Sequence, residues 1–299
     1  MSTLPLVTIV VISYNQSKYI KENLDSIKAQ TYLNIELIIA DDASPDNSVE
    51  VFESWLNDNS YTAKKNFHQK NTGLATVLNE CIELAKGKYI KLIAADDFLH
   101  PEAIENCVLK LEELGDEYGM VFTDTYAIDD NSKVIADIAN YNDLGNVDPL
   151  IFKHELIKGN RIAALTVLMK LDVVKKTGKY DSNFIVEDYY RWLKISRDYL
   201  IAYVPKKLAY YRQHTNNISK TKADRIDQED LMLKIMFDDT GYVDKNINSR
   251  LYLRYINNQT IDPDLKNLYS NYPYKTKRLA LAITYHIPVF IYRLVSKVL

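Results

Sequence analysis

Apolar positions along this chain fall into two rhythms. Val7 to Ser13 is an almost unbroken apolar, β-branched run, which predicts a strand covered on both faces. From Lys18 to Ala29 the spacing becomes helical, with Ile20, Leu24 and Ile27 on one side. Ile35 to Ala40 predicts a second buried strand. Asp46 to Leu56 predicts a second helix, with Val49, Phe52 and Leu56 on one face and Pro45 and Asp46 at its start. Leu74 to Ala85 reads as a third helix, stopped by Gly87, and Tyr89 to Ile93 as a third strand. Pro101 opens a helix to Leu114, and Met120 to Tyr126 is a further strand. Strands alternating with helices imply an α/β fold with a parallel, doubly wound sheet.

After about Asn131 the rhythm changes. Strand-like pieces at Ala163 to Lys170 and Leu200 to Tyr211 flank a helix from Glu187 to Arg197. From Lys222 onward the chain reads as helices. This gives a main domain over residues 1–220 and a C-terminal helical region over 221–299.

Composition narrows the picture only a little. The chain has 299 residues, 47% hydrophobic and 26% charged, which excludes disordered and fibrous classes. Lys and Arg total 37 against 40 Asp and Glu, so no basic excess points to nucleic acid. The two cysteines, Cys81 and Cys107, fall in helical stretches without metal-site spacing and read as buried thiols. The first residues lack the basic and small-residue marks of a signal peptide and read as a strand. The 23 tyrosines hint at carbohydrate or interface contacts without establishing either.

Ligands of such sheets bind beyond the carboxyl ends of the strands. Three polar clusters fall there: Ser13-Tyr14-Asn15, Asp41-Asp42 and Asp96-Asp97. Two adjacent aspartates at a buried strand end require something positive nearby. Glycine-rich phosphate loops of the GxGxxG or GxxxxGK[ST] type are absent. That leaves a divalent ion held by carboxylates as the means of neutralising a diphosphate. On the Asp96-Asp97 pair alone, a cap for the helix at Pro101 and a metal ligand are equally good readings.

The neighbouring motifs decide between them. "VTIVVISYNQSKYIKENLDSIKAQTYLNIELIIADDASPDNS", "NTGLATVLNECIELAKGKYIKLIAADDFLHPE", "VEDYYRWLKI" and "YYRQHTNNIS", in that order, resemble the family 2 glycosyltransferases over roughly residues 5–220. One departure is Ala94, where many members carry another aspartate.

The resemblance implies the GT-A fold, with residues 1–130 as a nucleotide-binding half and 131–220 as an acceptor half. It implies an inverting transfer from a nucleotide-diphosphate sugar, UDP-linked first, aided by Mn²⁺ or Mg²⁺. The acceptor would be a growing surface glycan or lipid-linked oligosaccharide of a bacterium. By position, Tyr14 would lie along the base, Asn15 shape the turn, Asp42 bond the base edge and Asp41 support its loop. Asp96 would hold the ribose or the metal's water shell, Asp97 would ligate the metal and His214 would complete its shell. Arg212 would contact phosphate. Asp188 would be the general base and Glu187 its orienting neighbour.

Each residue also has a plainer reading. Tyr14 also reads as a core or rim tyrosine, Asp42 as turn chemistry that can hold beside the binding role, and His214 taken alone as a surface or hydrogen-bonded histidine. Glu187 and Asp188 also suit a helix N-terminus, at about 0.3–1 kcal/mol.

No Asp or Glu follows Asp264, and Lys275, Lys277, Arg278, Arg293 and Lys297 bracket an apolar stretch. This tail is too short and interrupted for a membrane span and suits a helix on an anionic membrane surface. The expected location is the inner face of a cytoplasmic membrane. The alternative is a helix packed on its own domain or on a second subunit. Two rival functions remain: a nucleotidyltransferase, which lacks the basic glycine loop it would need after the first strand, and a non-catalytic nucleotide-sugar-binding or scaffold protein.

Overall fold

The computed structural model describes residues 4–135, 143–214 and 221–298. The chain forms two compact units, Met1–Lys153 with Arg161–Thr215, and His154–Asn160 with Asn216–Leu299.

The first unit is built on strands β1 (Val7–Ser13), β2 (Ile35–Asp41), β3 (Lys64–Phe67), β4 (Tyr89–Ala94), β5 (Phe98–Leu99), β6 (Tyr118–Ile128), β7 (Leu168–Lys170) and β8 (Leu200–Arg212). They make one eight-stranded sheet in the order β3-β2-β1-β4-β7-β6-β8-β5. β1 to β4 are parallel; β7 runs antiparallel to both β4 and β6, and β6 is parallel to β8. The sheet is therefore mostly parallel rather than wholly so: β7 and the short β5, which pairs antiparallel with β8, run against the rest.

Helices α1 (Ser17–Lys28), α2 (Ser48–Asn59), α3 (Leu74–Leu84), α4 (Ala103–Leu114), α5 (Phe152–Leu156), α6 (Leu171–Lys176) and α7 (Glu187–Asp198) come in chain order. Ile20, Leu24 and Ile27 of α1 and Ile104, Val108 and Leu111 of α4 share one core with Val7, Ile9 and Val11. All nine are essentially sealed from water, each contributing about 1.5–3 kcal/mol.

Three local expectations are corrected. α2 begins at Ser48, not Asp46, because the Asp46 side chain accepts from the Ser48 amide and hydroxyl (3.0 and 2.5 Å) and from the Ser17 amide (2.9 Å). One carboxylate thus joins the starts of α1 and α2. Ala163 to Lys170 is a 3-10 turn at Ala164–Thr166 followed by the short β7. Gly87 is not a helix stop: α3 ends earlier, and a Cβ on Gly87 would lie 2.5 Å from the Tyr89 carbonyl oxygen and 2.6 Å from the Thr8 nitrogen. Glycine is needed there for close passage past β1.

The second unit holds α8 (Ala223–Phe237), α9 (Asp244–Ile256), α10 (Pro263–Asn271), α11 (Lys277–Thr284) and α12 (Val289–Val298). Asp224, Asp227 and Asp230 stand three apart on α8 and pair with Arg254 and Arg250 of α9. Leu231, Ile247, Leu251, Leu265 and Leu279 fill its interior.

Candidate active site

Register places the three polar clusters at one edge. Ser13 lies beside Asp41, and Ile12 beside both Ala40 and Ala94, so β1, β2 and β4 end level. The residues just past these strand ends share that edge: Tyr14-Asn15, Asp42, and Asp96-Asp97.

Tyr14 is 52% exposed, a large ring left in water at the strand end. Asn15 takes φ 58°, a left-handed conformation asparagine tolerates, and its amide donates to Ser44 Oγ at 2.9 Å. Asp41 is sealed and closes its own turn, accepting from the Ser44 amide (2.8 Å) and hydroxyl (2.6 Å).

Asp42 is also buried. Its Oδ1 accepts from the Thr72 amide (2.8 Å), the Thr72 hydroxyl (3.1 Å) and His68 Nδ1 (2.9 Å), and its Oδ2 from the Gly73 amide (2.8 Å). Burial pulls this carboxyl up, but the Thr72, His68 and Gly73 bonds outweigh it and leave it below the ordinary range. Oδ2 carries one donor and keeps a second acceptor position.

The second pair is held differently. Asn23 of α1 fixes its backbone, donating to the carbonyls of Ala94 (3.1 Å) and Asp97 (2.7 Å). Asp97 Oδ1 accepts the Arg212 amide at 2.9 Å, and Asp96 Oδ2 lies 2.9 Å from His214 Nε2. Burial, then the charge of Asp96, push the Asp97 carboxyl well up, while Arg212 and Lys91 act in the other direction. Lys91 of β4 is itself sealed, its Nζ bonded to the Leu165 carbonyl, and burial lowers it to about 8. The positive partners that the paired aspartates demanded are thus present in the chain.

Arg212, expected to contact phosphate, is held among acceptors of its own chain. Its guanidinium is 1% exposed and bonds the carbonyls of Asp96 (2.8 Å) and Asp129 (2.7 Å), Glu22 (2.5 Å) and Ser132 (3.0 Å), with its face over the Tyr19 ring. Four N–H bonds to its own chain make this buried fork first of all a structural tie. It ties β8 to the turn after β4 and to α1.

Among the described residues, no three His, Cys, Asp or Glu side chains are gathered as a preformed metal cluster. The donor set nonetheless suits a hard divalent ion. Two carboxylates and an imidazole stand at one strand end, and Asp97 spends Oδ1 alone on a bond.

Glu187 and Asp188 open α7, half-buried, with Asp188 Oδ1 accepting the Tyr189 amide at 2.6 Å. The loop before α7 is tied to α3 through Asn79 and the Tyr180 backbone (3.0 and 2.8 Å). Arg191, one turn along α7, lies 4.1 Å over the Tyr180 ring.

Comparison with known proteins settles the family. A family profile described as glycosyl transferase family 2 matches residues 8–164, more than half of the chain. The chain belongs to glycosyltransferase family 2. Over 229 residues it is 28% identical to a Rickettsia typhi protein named as an uncharacterized glycosyltransferase, covering 75% of this chain and 69% of that one. Among solved structures, S. aureus TarS 1-349 in complex with UDP-GlcNAc superposes with a TM-score of 0.61 at 16% identity, over 94% of this chain and 86% of that one. A Pyrobaculum calidifontis mannosyltransferase in complex with GDP-Man and Mn²⁺ superposes at 0.60 and 17% identity, over 96% and 77%. The fold of this glycosyltransferase is accordingly GT-A.

Asn23, His68, Thr72, Glu22 and Lys91 were not visible as site residues in the sequence. Only Lys91 left a signal, a charge inside the apolar strand YIKLIA. Residues 136–142 of the expected acceptor half, and residues 215–220, which include the end of the YYRQHTNNIS motif, lie outside the described residues.

Proposed function

We propose that this glycosyltransferase moves a sugar from a UDP-sugar to a hydroxyl of a growing surface glycan or lipid-linked oligosaccharide, inverting the anomeric centre. The observation that carries the reading is the level ending of β1, β2 and β4, which gathers an exposed ring, an ionised acceptor and a paired acidic site. Tyr14 stacks on the base, an interaction of about 1–3 kcal/mol, and Asp42 Oδ2 accepts a base N–H. Asp96, Asp97 and His214 would hold a divalent ion, Mn²⁺ or Mg²⁺, whose charge would offset that of the departing diphosphate. Asp188 takes the proton of the acceptor hydroxyl as its oxygen bonds to the anomeric carbon and the bond to diphosphate breaks. Glu187 orients Asp188. A single displacement of this kind inverts, and no enzyme nucleophile is used.

The test is transfer from UDP-sugars, with and without Mn²⁺, by the native chain and by Asp188→Asn. The variant should keep nucleotide binding and lose transfer by at least about 100-fold; unchanged transfer removes Asp188 from the role. A second reading, a nucleotide-sugar-binding protein without transfer, draws on Ala94 and on the bond from the Arg212 amide to Asp97. Nucleotide binding without hydrolysis or transfer of any donor would favour it.

No helix among the described residues is long and apolar enough to cross a membrane. Leu281, Tyr285, Phe290 and Leu294 of the last two helices and the turn between them are 54%, 71%, 67% and 63% exposed, beside Lys277, Arg278 and Arg293. We propose that this segment rests on an anionic membrane surface at the cytoplasmic face. Deleting residues 275–299 should move the protein into the soluble fraction; unchanged fractionation would favour packing within the chain or between subunits.

A further inference from the structure

His68, just after β3, is a chargeable group beside the base-binding aspartate that the mechanism above leaves unused. Both of its ring nitrogens meet carboxylates: Nδ1 lies 2.9 Å from Asp42 Oδ1, and Nε2 lies 2.6 Å from Glu80 Oε2 on α3. A neutral imidazole has one N–H and can donate to one of them; the imidazolium donates to both. The surroundings favour the second state. Asn66 Nδ2 donates to the same Glu80 oxygen at 2.9 Å, and Thr72, 2.9 Å from Nδ1, donates its hydroxyl to Asp42. Asp42 and Glu80 are the charged groups against the ring, and the His68 side chain is only 11% exposed.

This arrangement also orients Asp42. His68 and Thr72 load Oδ1 with three donors, while Oδ2 holds only the Gly73 amide and points its remaining lone pair elsewhere. We propose that His68, held as an imidazolium between Asp42 and Glu80, is a positioning residue that keeps Asp42 Oδ2 aimed at the nucleobase and makes nucleotide affinity depend on pH. This rests on Asp42 meeting the base, as read above. Burial lowers the pKa of the ring, but the Glu80 and Asp42 bonds outweigh it and hold it above the ordinary histidine value. The proton leaves as pH rises through that elevated value.

The experiment is calorimetric titration of the full chain with UDP and with GDP across pH 5.5 to 8.5. His68→Gln and Glu80→Gln are titrated in parallel, so that titration of the nucleotide phosphate cancels between variants. Native affinity should fall about tenfold towards the alkaline end relative to His68→Gln, whose binding at pH 6 should already be about tenfold weaker. Glu80→Gln should keep the acid-side affinity and move the midpoint to lower pH. A folded His68→Gln with native affinity and native pH dependence overturns the proposal. Should His68→Gln not fold, an unmoved midpoint in Glu80→Gln overturns it. A native chain that binds neither nucleotide at any pH overturns the donor-site reading itself, a separate failure.

Discussion

One Asp-Asp dipeptide closes β2 and another follows β4 on the same sheet edge, and these two copies live in opposite electrostatic conditions. Asp41-Asp42 is folded into its own loops: Ser44 satisfies the first, and Thr72, Gly73 and His68 satisfy the second. Those bonds hold Asp42 below the usual carboxylate range. Asp96-Asp97 is equally buried, yet Asp97 receives one backbone amide and is pushed upward by burial and by its neighbour. All four carboxylates are shielded from water, but Asp97 meets fewer N–H and O–H groups than Asp42 and also meets the charge of its neighbour. The first pair is satisfied by the fold except for one acceptor position on Asp42 Oδ2, and the second is left short of donors where a ligand would supply them.

The largest effect should come from Arg212, because it holds the second pair in place. Arg212→Met deletes a sealed guanidinium and takes its donors from the carbonyls of Asp96 and Asp129. We expect a loss of about 3–5 kcal/mol in urea denaturation, as for breaking a buried pair. A loss under about 1 kcal/mol would mean that Arg212 is not what holds the Asp96-Asp97 turn, and the contrast would lose its structural basis.

Next in size is a direct exchange of the two sites. Asp42→Asn removes a charge that four donors address and turns an amide NH₂ towards one of them. It should cost about 2–3 kcal/mol. Asp97→Asn keeps an oxygen for the Arg212 amide and removes a charge that burial disfavours, so it should change stability by less than about 1 kcal/mol. Equal losses from paired melts of the two variants would show that the sites are not electrostatically distinct.

Periodicity made most of the first sheet readable. Val7 to Ser13 and Ile35 to Ala40 are apolar throughout because both faces are covered, and α1 and α4 carry clean apolar stripes. β3, reading KKNF, was not legible: an edge strand half open to water has no buried face to imprint a pattern. The acidic pairs were visible because aspartates at strand ends are conspicuous. Their partners were not, since His68, Thr72 and Arg212 reach them across 26 to 115 residues of chain. Arg212 shows the limit most clearly. From the sequence an arginine two residues from a histidine near a phosphate site reads as a phosphate contact, and only the acceptors around it reveal its structural task.

Lys91 offers the smallest effect and the finest test of the contrast. It is a sealed lysine beside the second pair, whereas the first pair draws on hydroxyls, amides and His68. Burial lowers its pKa to about 8, against about 10.4 for an exposed lysine. Between these values the unfolded chain binds the proton more tightly than the folded one, so stability should rise with pH through this window. The gain attributable to Lys91 should be on the order of 1–2 kcal/mol between pH 8 and pH 9.5, read as the difference between native and Lys91→Met denaturation curves. Subtracting the variant removes the tyrosines and other groups that titrate nearby. If both curves run parallel, Lys91 keeps an ordinary pKa in the fold. The second pair would then have a fully charged lysine beside it, and its shortage of compensation would be smaller than its hydrogen bonds suggest.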